Sequence, residues 1–180
     1  MTASSELRPA QSVGPELAIR QAKIACPELN RFLYTAVGGA WYWIDRLAWT
    51  YPQWQDYLNR PELETWIGYV EGNPAGYFEL ERQPEENVEI AYFGLLPQFI
   101  GKGFGGRLLT RAIARAWEGN ARRVWVHTCT LDGPTALPNY LARGFRIYRE
   151  ETTETELPER KPGPWLGSDP PPTSSWPPLP

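Results

Sequence analysis

The chain has 180 residues, with 18 basic and 21 acidic side chains giving a net charge of −3. That length suits one domain with its own core, and the charge argues against a general nucleic-acid binder. No apolar run reaches the roughly 18 residues of a membrane span, the polar N-terminus lacks a signal core, and Cys26 and Cys129 are too few for a disulfide framework or a four-thiolate metal site, so a cytoplasmic protein without a bound metal is expected.

Residues 1–13 read as a flexible N-terminal arm, and 14–157 as the folded domain. Glu16–Lys23 alternates Leu17 and Ile19 against Arg20 and suits a first strand. Pro27–Val37 reads as a helix, with Pro at its start and Gly38-Gly39 after its end. The aromatic segment Trp41–Trp49, continued by Tyr51, Trp54 and Tyr57, holds four of the nine tryptophans. It reads either as a helical lid packed on the sheet or as an acceptor pocket walled by indoles, with Trp41, Trp43 and Asp45 as lining.

Thr65–Val70, Ala75–Arg82 and Val88–Leu95 read as three strands joined by short polar turns, which implies an antiparallel meander. Residues 62–89 carry eight Glu and one Arg, whereas 101–123 carry six basic residues and only Glu118. The plain reading of both runs is solvated faces. The functional one puts positive charge by a polyphosphate and negative charge by an amine.

The stretch Glu89–Trp117 runs from a buried strand through Pro97 and a glycine-dense turn into a helix. Gly101, Gly103, Gly105 and Gly106 allow close backbone approach to a ligand. Phe104, Leu108, Ala112, Ile113 and Ala116 then recur at helical spacing opposite Arg107, Arg111 and Arg115. A glycine turn feeding a helix N-terminus attracts phosphate. Gly101, Gly103 and Gly106 satisfy the dinucleotide spacing G-x-G-x-x-G, which also needs an acidic residue about 20 positions on. A kinase loop would lead into a strand, and a P-loop would need Ser or Thr after Lys102.

Val124–Cys129 reads as the next strand, carrying His127, the only histidine. A short helix follows, becoming regular near Pro138 and stopping at Gly144, and Phe145–Thr153 reads as a last strand. Nine of the nineteen prolines fall in residues 158–180, a tail expected to be disordered or polyproline-like and strapped to the surface by Trp165 or Trp176.

Pro97-Gln98-Phe99-Ile100-Gly101-Lys102-Gly103-Phe104-Gly105 followed by Leu108 resembles the acetyl-CoA pyrophosphate loop of the GNAT superfamily of N-acetyltransferases. Ile100 stands where that loop usually has Gln or Arg. Ala136, Tyr140 and Gly144-Phe145 match the family's later A-x-x-x-Y-x-x-x-G-F block, with Gly133 in place of a frequent Asn. The resemblance implies an α/β (α+β) fold: a mixed, mostly antiparallel central sheet flanked by helices, in which the fourth and fifth strands part.

By the same resemblance, acetyl-CoA is held by Phe93, Leu95, Leu96, Ile100, Gly101, Lys102, Gly103, Phe104, Gly105 and Gly106. An N–H near Leu95 then polarises the thioester carbonyl. Transfer to an amine needs a base and a proton donor for the departing thiolate. Glu89 is the candidate base, with Glu79 sharing or replacing it. Tyr140 is the candidate acid, and His127 a candidate relay or pocket residue. Direct transfer is favoured over a Cys129 intermediate, since no Cys-His-Asp arrangement is evident.

The expected function is therefore transfer of an acetyl group from acetyl-CoA to a primary amine. The acceptor would be a small molecule or peptide, and the protein a monomer or homodimer with no nucleic-acid or membrane partner. The alternatives are an acyl-CoA-sensing regulatory module without catalysis and an NAD-dependent oxidoreductase.

Overall fold

A computed structural model describes residues 1–168. Nine regular elements follow in the order β1 (Ala18–Ala22), α1 (Pro27–Gly38), α2 (Tyr51–Leu58), β2 (Leu63–Val70), β3 (Asn73–Gln83), β4 (Asn87–Leu95), α3 (Phe104–Trp117), β5 (Arg123–Val126) and α4 (Ala136–Ala142). The five strands form one sheet in sequence order. β1 to β4 pair antiparallel and β5 joins β4 in parallel, as expected for a mixed, mostly antiparallel sheet flanked by helices.

Strand alternation divides the core between two faces. On one, Phe78, Leu80, Val88, Ile90 and Val124 meet Leu108, Leu109, Ala112, Ile113 and Ala116 of α3. Each fully buried large aliphatic side chain there contributes about 1.5–3 kcal/mol, which holds the helix and the turn before it in place. On the other, Tyr77 and Ile67 pack against Leu33 and Val37 of α1. Gly94 permits that approach, since a Cβ there would lie 2.4 Å from a Val37 methyl.

Two irregularities shape the sheet. Glu79 pairs with Tyr92 and Leu80 with Ile90, so Ala91 is an unpaired extra residue in β4. Such a bulge bends its strand. β5 pairs with β4 only from Asn87 to Ile90, while β4 continues to Leu95. The two strands therefore part just where the bulge falls.

Several expectations are corrected. Trp41–Trp49 is not a helical lid: it folds as turns, with Tyr42 at φ +58°. The helix starts later, at Tyr51, where Thr50 and Gln53 form a capping box. β5 stops at Val126 rather than Cys129, and α4 starts at Ala136, leaving Pro138 in its first turn, where no N–H is required. Phe145–Thr153 is not a strand. Phe145 anchors in the core, but Ile147 and Tyr148 are exposed, and the far edge of β5 is occupied by Met1, which exchanges two hydrogen bonds with Val124 (2.7 and 3.0 Å).

The arm expected to be loose is packed instead. Besides Met1, the Arg8 N–H donates to the Arg143 carbonyl (3.0 Å) and the Ala10 N–H to Thr110 Oγ1 (3.0 Å). The tail does cross the body, but not through Trp165, which is 67% exposed. The Pro162 carbonyl lies directly over Gly39, and Lys161 Nζ stands 5.9 Å from the rings of Trp41 and Tyr42. Trp176 falls outside the described residues.

Candidate active site

After β4, Pro97–Phe99 make one tight turn, and Gly101 and Gly103 carry the chain into α3 at φ +78° and +83°, a conformation costly for any residue with a Cβ. A Cβ at either position would meet nothing within 4 Å, so the turn opens outward. Neither glycine N–H donates to a backbone carbonyl among the described residues, and the first N–H groups of α3 lack intrahelical acceptors. The turn therefore brings backbone donors to the positive end of a helix dipole.

The predicted cofactor residues divide by how they enter this cradle. Phe104 and Phe99 are core rings 6.0 Å apart, so Phe104 offers only its backbone. Leu95 packs under Gly105 at 3.6 Å from a Cβ there. The Leu96 N–H is taken by the Ala75 carbonyl (2.9 Å), so its side chain alone remains for a ligand. Ile100 and Lys102 are half-buried beside the turn.

A cation that sequence reasoning missed stands over the helix start. A Cβ at Gly106 would lie 2.4 Å from Arg143 Nη1, and Arg143 Nε is buried without a hydrogen-bond partner among the described residues. Arg107 is turned away, donating to the carbonyls of Val13 and Pro15.

Next to the cradle lies the fork between β4 and β5. Phe93 lines it and meets Tyr140 of α4 edge-on at 5.9 Å, and Phe145 holds the other side of that ring. Tyr140 is buried, and its hydroxyl makes no hydrogen bond to another described residue. Burial, with Asp132 nearby, pushes its phenol well above the ordinary value, so it is a protonated donor at neutral pH. Asp132 in turn closes the loop after β5 by accepting from Thr128 Oγ1 (2.7 Å) and the Cys129 N–H (3.1 Å).

The face toward α1 and α2 carries the carboxylates. Glu79 is 1% exposed and accepts from Asn30 Nδ2 (3.1 Å), Arg46 Nη1 (3.0 Å) and the Tyr57 hydroxyl (2.9 Å). The Arg46 guanidinium is itself enclosed by the rings of Tyr57 (3.8 Å), Tyr92 (4.1 Å), Trp49 (4.9 Å) and Trp54 (5.8 Å). Burial, reinforced by Glu79, raises the Tyr57 phenol, which keeps its proton on the bond it donates.

Glu89 is held differently. It sits half-buried two residues before the bulge and accepts from Gln83 Nε2 at 2.7 Å. Burial pushes its carboxyl above the ordinary range and Glu81 adds to that, while Gln83 and His127 pull it back. Of the predicted pocket residues, Trp43 joins Tyr34, Tyr77 and Tyr92 at 4.8–6.3 Å between centroids. Trp41 reaches across to Gly133, where a Cβ would lie 3.2 Å from its ring. Asp45 and His127 are exposed at the rim. Among the described residues no group of three or more His, Cys, Asp or Glu could hold a metal ion, and no helix is long and apolar enough to cross a membrane.

Residues 27–145 match the model of the acetyltransferase (GNAT) family. The chain belongs to that family. Among curated relatives, an uncharacterized N-acetyltransferase of Mycobacterium tuberculosis is 29% identical over 92 residues, covering 51% of this chain and 58% of its own length. A Mycobacterium bovis protein of the same description matches equally. The matched segment thus spans little more than half of those relatives.

Solved structures share the GNAT fold at low identity. An aminoglycoside acetyltransferase from an uncultured soil metagenomic sample superposes with a TM-score of 0.63 at 14% identity, covering 79% of this chain and 97% of that one. An aminoglycoside N-acetyltransferase in complex with a bisubstrate analogue of CoA and acetylneamine gives 0.60 at 18%, covering 78% and 98%. A Bacillus subtilis acetyltransferase in complex with CoA gives 0.57 at 23%, covering 77% and 90%.

Within this GNAT domain the structure brings Tyr140, Phe93 and the glycine turn to one fork, and Glu79, Trp43 and Tyr92 to the adjoining face. Arg46, Gln83, Trp125 and Arg143 were not singled out from sequence. A signal existed for Arg46: it is the only cation between Arg31 and Arg60, in the middle of the tryptophan-rich segment, where a cation among rings points to an aromatic cage.

Proposed function

We propose that this GNAT domain transfers an acetyl group from acetyl-CoA to a primary amine carrying positive charge. The observation that carries the reading is the parting of β4 and β5 immediately beside an outward-opening glycine turn. The turn and Arg143 suit a diphosphate, by N–H donation and by a guanidinium respectively. The edge of β4 freed beyond Ile90 suits an extended amide-bearing arm. Acetyl-CoA supplies an activated thioester. The protein supplies position, a polarising N–H near Leu95, a proton acceptor and a proton donor.

Glu89 is assigned as the base, acting through one water, since strand rise of about 3.3 Å per residue sets it about 7 Å along β4 from Ala91. A carboxyl whose proton affinity is raised by burial suits that task. Glu79 is assigned to structure, because three donors converge on its oxygens. Tyr140 is assigned as the acid that protonates the departing thiolate. A cationic acceptor is favoured by the surplus of carboxylates at the rim: among the described residues Asp45 and Glu89 lack a cation in direct contact, while Arg46 and Arg60 are committed to Glu79 and Glu81.

Calorimetry with acetyl-CoA and with NAD, on wild type and Gly103→Glu, tests the cradle. Acetyl-CoA should bind wild type and NAD should not. The Gly103→Glu protein should stay folded, since its side chain meets open space and the left-handed backbone costs it only about 1–2 kcal/mol, yet release no heat with acetyl-CoA. Unchanged affinity in that variant would refute the cradle. Thiol release across polyamines, aminoglycosides and lysine peptides, against neutral amines, then tests the acceptor.

A further inference from the structure

We infer that Gln83 and Trp125 form a positioning relay that holds the Glu89 carboxylate in the orientation from which it takes the acceptor's proton through one water. The inference rests on the assignment of Glu89 as base. Three neighbouring strands contribute one member each: Gln83 ends β3, Glu89 lies on β4, and Trp125, its register partner, lies on β5.

The indole N–H of Trp125 lies 3.1 Å from Gln83 Oε1, and Gln83 Nε2 lies 2.7 Å from Glu89 Oε2. An indole can only donate and a carboxylate can only accept. The amide of Gln83 therefore has one satisfactory orientation. Flipping it would set its NH2 against the indole N–H and its carbonyl against the carboxylate. Trp125 thus fixes Gln83, and Gln83 fixes Glu89. One oxygen of Glu89 is held, and Oε1 makes no hydrogen bond to another described residue, leaving it for an incoming water.

The other charged groups facing Glu89 make this single bond consequential. Glu81 lies directly opposite on β3, a like charge that opposes ionisation. It is partly neutralised by Arg60 of the segment after α2, whose Nη1 lies 2.8 Å from Glu81 Oε1. His127, two residues past Trp125, adds a modest opposite influence. No cation is in contact with Glu89 among the described salt bridges. Gln83 is therefore the hydrogen bond that keeps a half-buried carboxylate ionised enough to act.

The test compares wild type, Gln83→Leu, Trp125→Phe and Glu89→Gln by 13C NMR titration of the Glu89 carboxyl and by the pH dependence of kcat/KM. Amide spectra of each variant establish that it is folded. A hydrogen bond to a charged group is large enough to move a titration by about one pH unit. Gln83→Leu should raise the Glu89 titration by that much and carry the acid limb of the rate profile with it. Trp125→Phe keeps a ring but frees the amide, so it should shift both in the same direction by less.

Titration of Glu89 at its wild-type position in both variants would overturn the relay. A distinct failure is also readable: if the titration moves as expected but Glu89→Gln turns over like wild type, the base assignment is wrong, and the relay's catalytic purpose falls with it.

Discussion

Replacing Arg46 by Met is the most demanding test of how the acceptor face is built. The side chain keeps its length among the rings of Trp49, Trp54, Tyr57 and Tyr92, so little packing volume is lost. What is lost is the only cation paired with Glu79 among the described residues, and Glu79 is 1% exposed. Asn30 and Tyr57 still donate to it, but neither offsets its charge. Breaking a buried pair from one side costs about 3–5 kcal/mol, and a domain of this size loses about 2–4 °C per kcal/mol. Thermal melts should therefore fall by about 6–20 °C. Glu79→Gln should cost less, because Arg46 retains its ring contacts and an amide oxygen. The double variant Arg46→Met, Glu79→Gln should lie closer to wild type than Arg46→Met alone, since no unpaired charge remains. An Arg46→Met protein within about 1 kcal/mol of wild type, or a double variant that merely sums the two singles, would refute the reasoning. The same cycle bears on catalysis: with Glu79 structural, Glu79→Gln assayed below its melting point should leave the shape of the pH–rate profile unchanged.

Tyr140→Phe removes a hydroxyl that bonds no other described residue, so stability should hold while turnover falls about 10- to 100-fold if it protonates the thiolate; a wild-type rate would leave the ring to packing alone. Arg143→Ala should raise the Kd for acetyl-CoA about 10-fold or more without changing that of the acceptor, as expected for one charged hydrogen bond, and equal affinity by calorimetry would remove Arg143 from the cradle. Glu89 has a folded-state pKa above its unfolded value, so its favourable contribution is complete below the unfolded pKa of about 4.3 and is lost as pH rises through the folded one. Glu89→Gln should accordingly melt slightly higher than wild type at pH 7, with the difference vanishing near pH 4, even as its turnover drops; a variant that melts lower at pH 7 would contradict that sign.

The fold was legible wherever one periodicity dominated. The α3 helix announces itself because Phe104, Leu108, Ala112 and Ala116 mark one face while arginines mark the other, and the meander follows from alternation broken by Glu71-Gly72-Asn73. The turn before α3 was equally legible, since Gly101 and Gly103 are needed for left-handed backbone that other residues resist. The segment 41–49 was misread because aromatic density signals burial without specifying a period. What decides its shape is long-range: Arg46 must turn inward to meet Glu79, and a continuous helix through Tyr42 gives way to turns. The local signal for the start of α2 is Thr50-x-x-Gln53. The failed strand after Phe145 has a similar cause, because pairing depends on which segment occupies the edge of β5, and Met1 lies more than a hundred residues away in sequence. Gln83 and Trp125 could not be found by pattern at all, as their meaning comes from strand register.

Glu89, the base candidate from sequence, and Glu79, which could share or replace it, lie on the same sheet face, and their environments separate them. Glu79 accepts from three donors, one each from α1, α2 and the segment between them, so removing its charge disturbs their assembly. Glu89 receives one hydrogen bond and faces a like charge, which leaves its proton affinity open to adjustment by single neighbours. Environment rather than residue type thus divides the labour. The division has a structural source in the bulge at Ala91. Upstream of it, β4 stays paired with β5 and keeps Glu89 beside Trp125. Downstream, β4 is released from β5 and its edge becomes available. One extra residue in a strand therefore both opens the fork and sets the proposed base at its entrance.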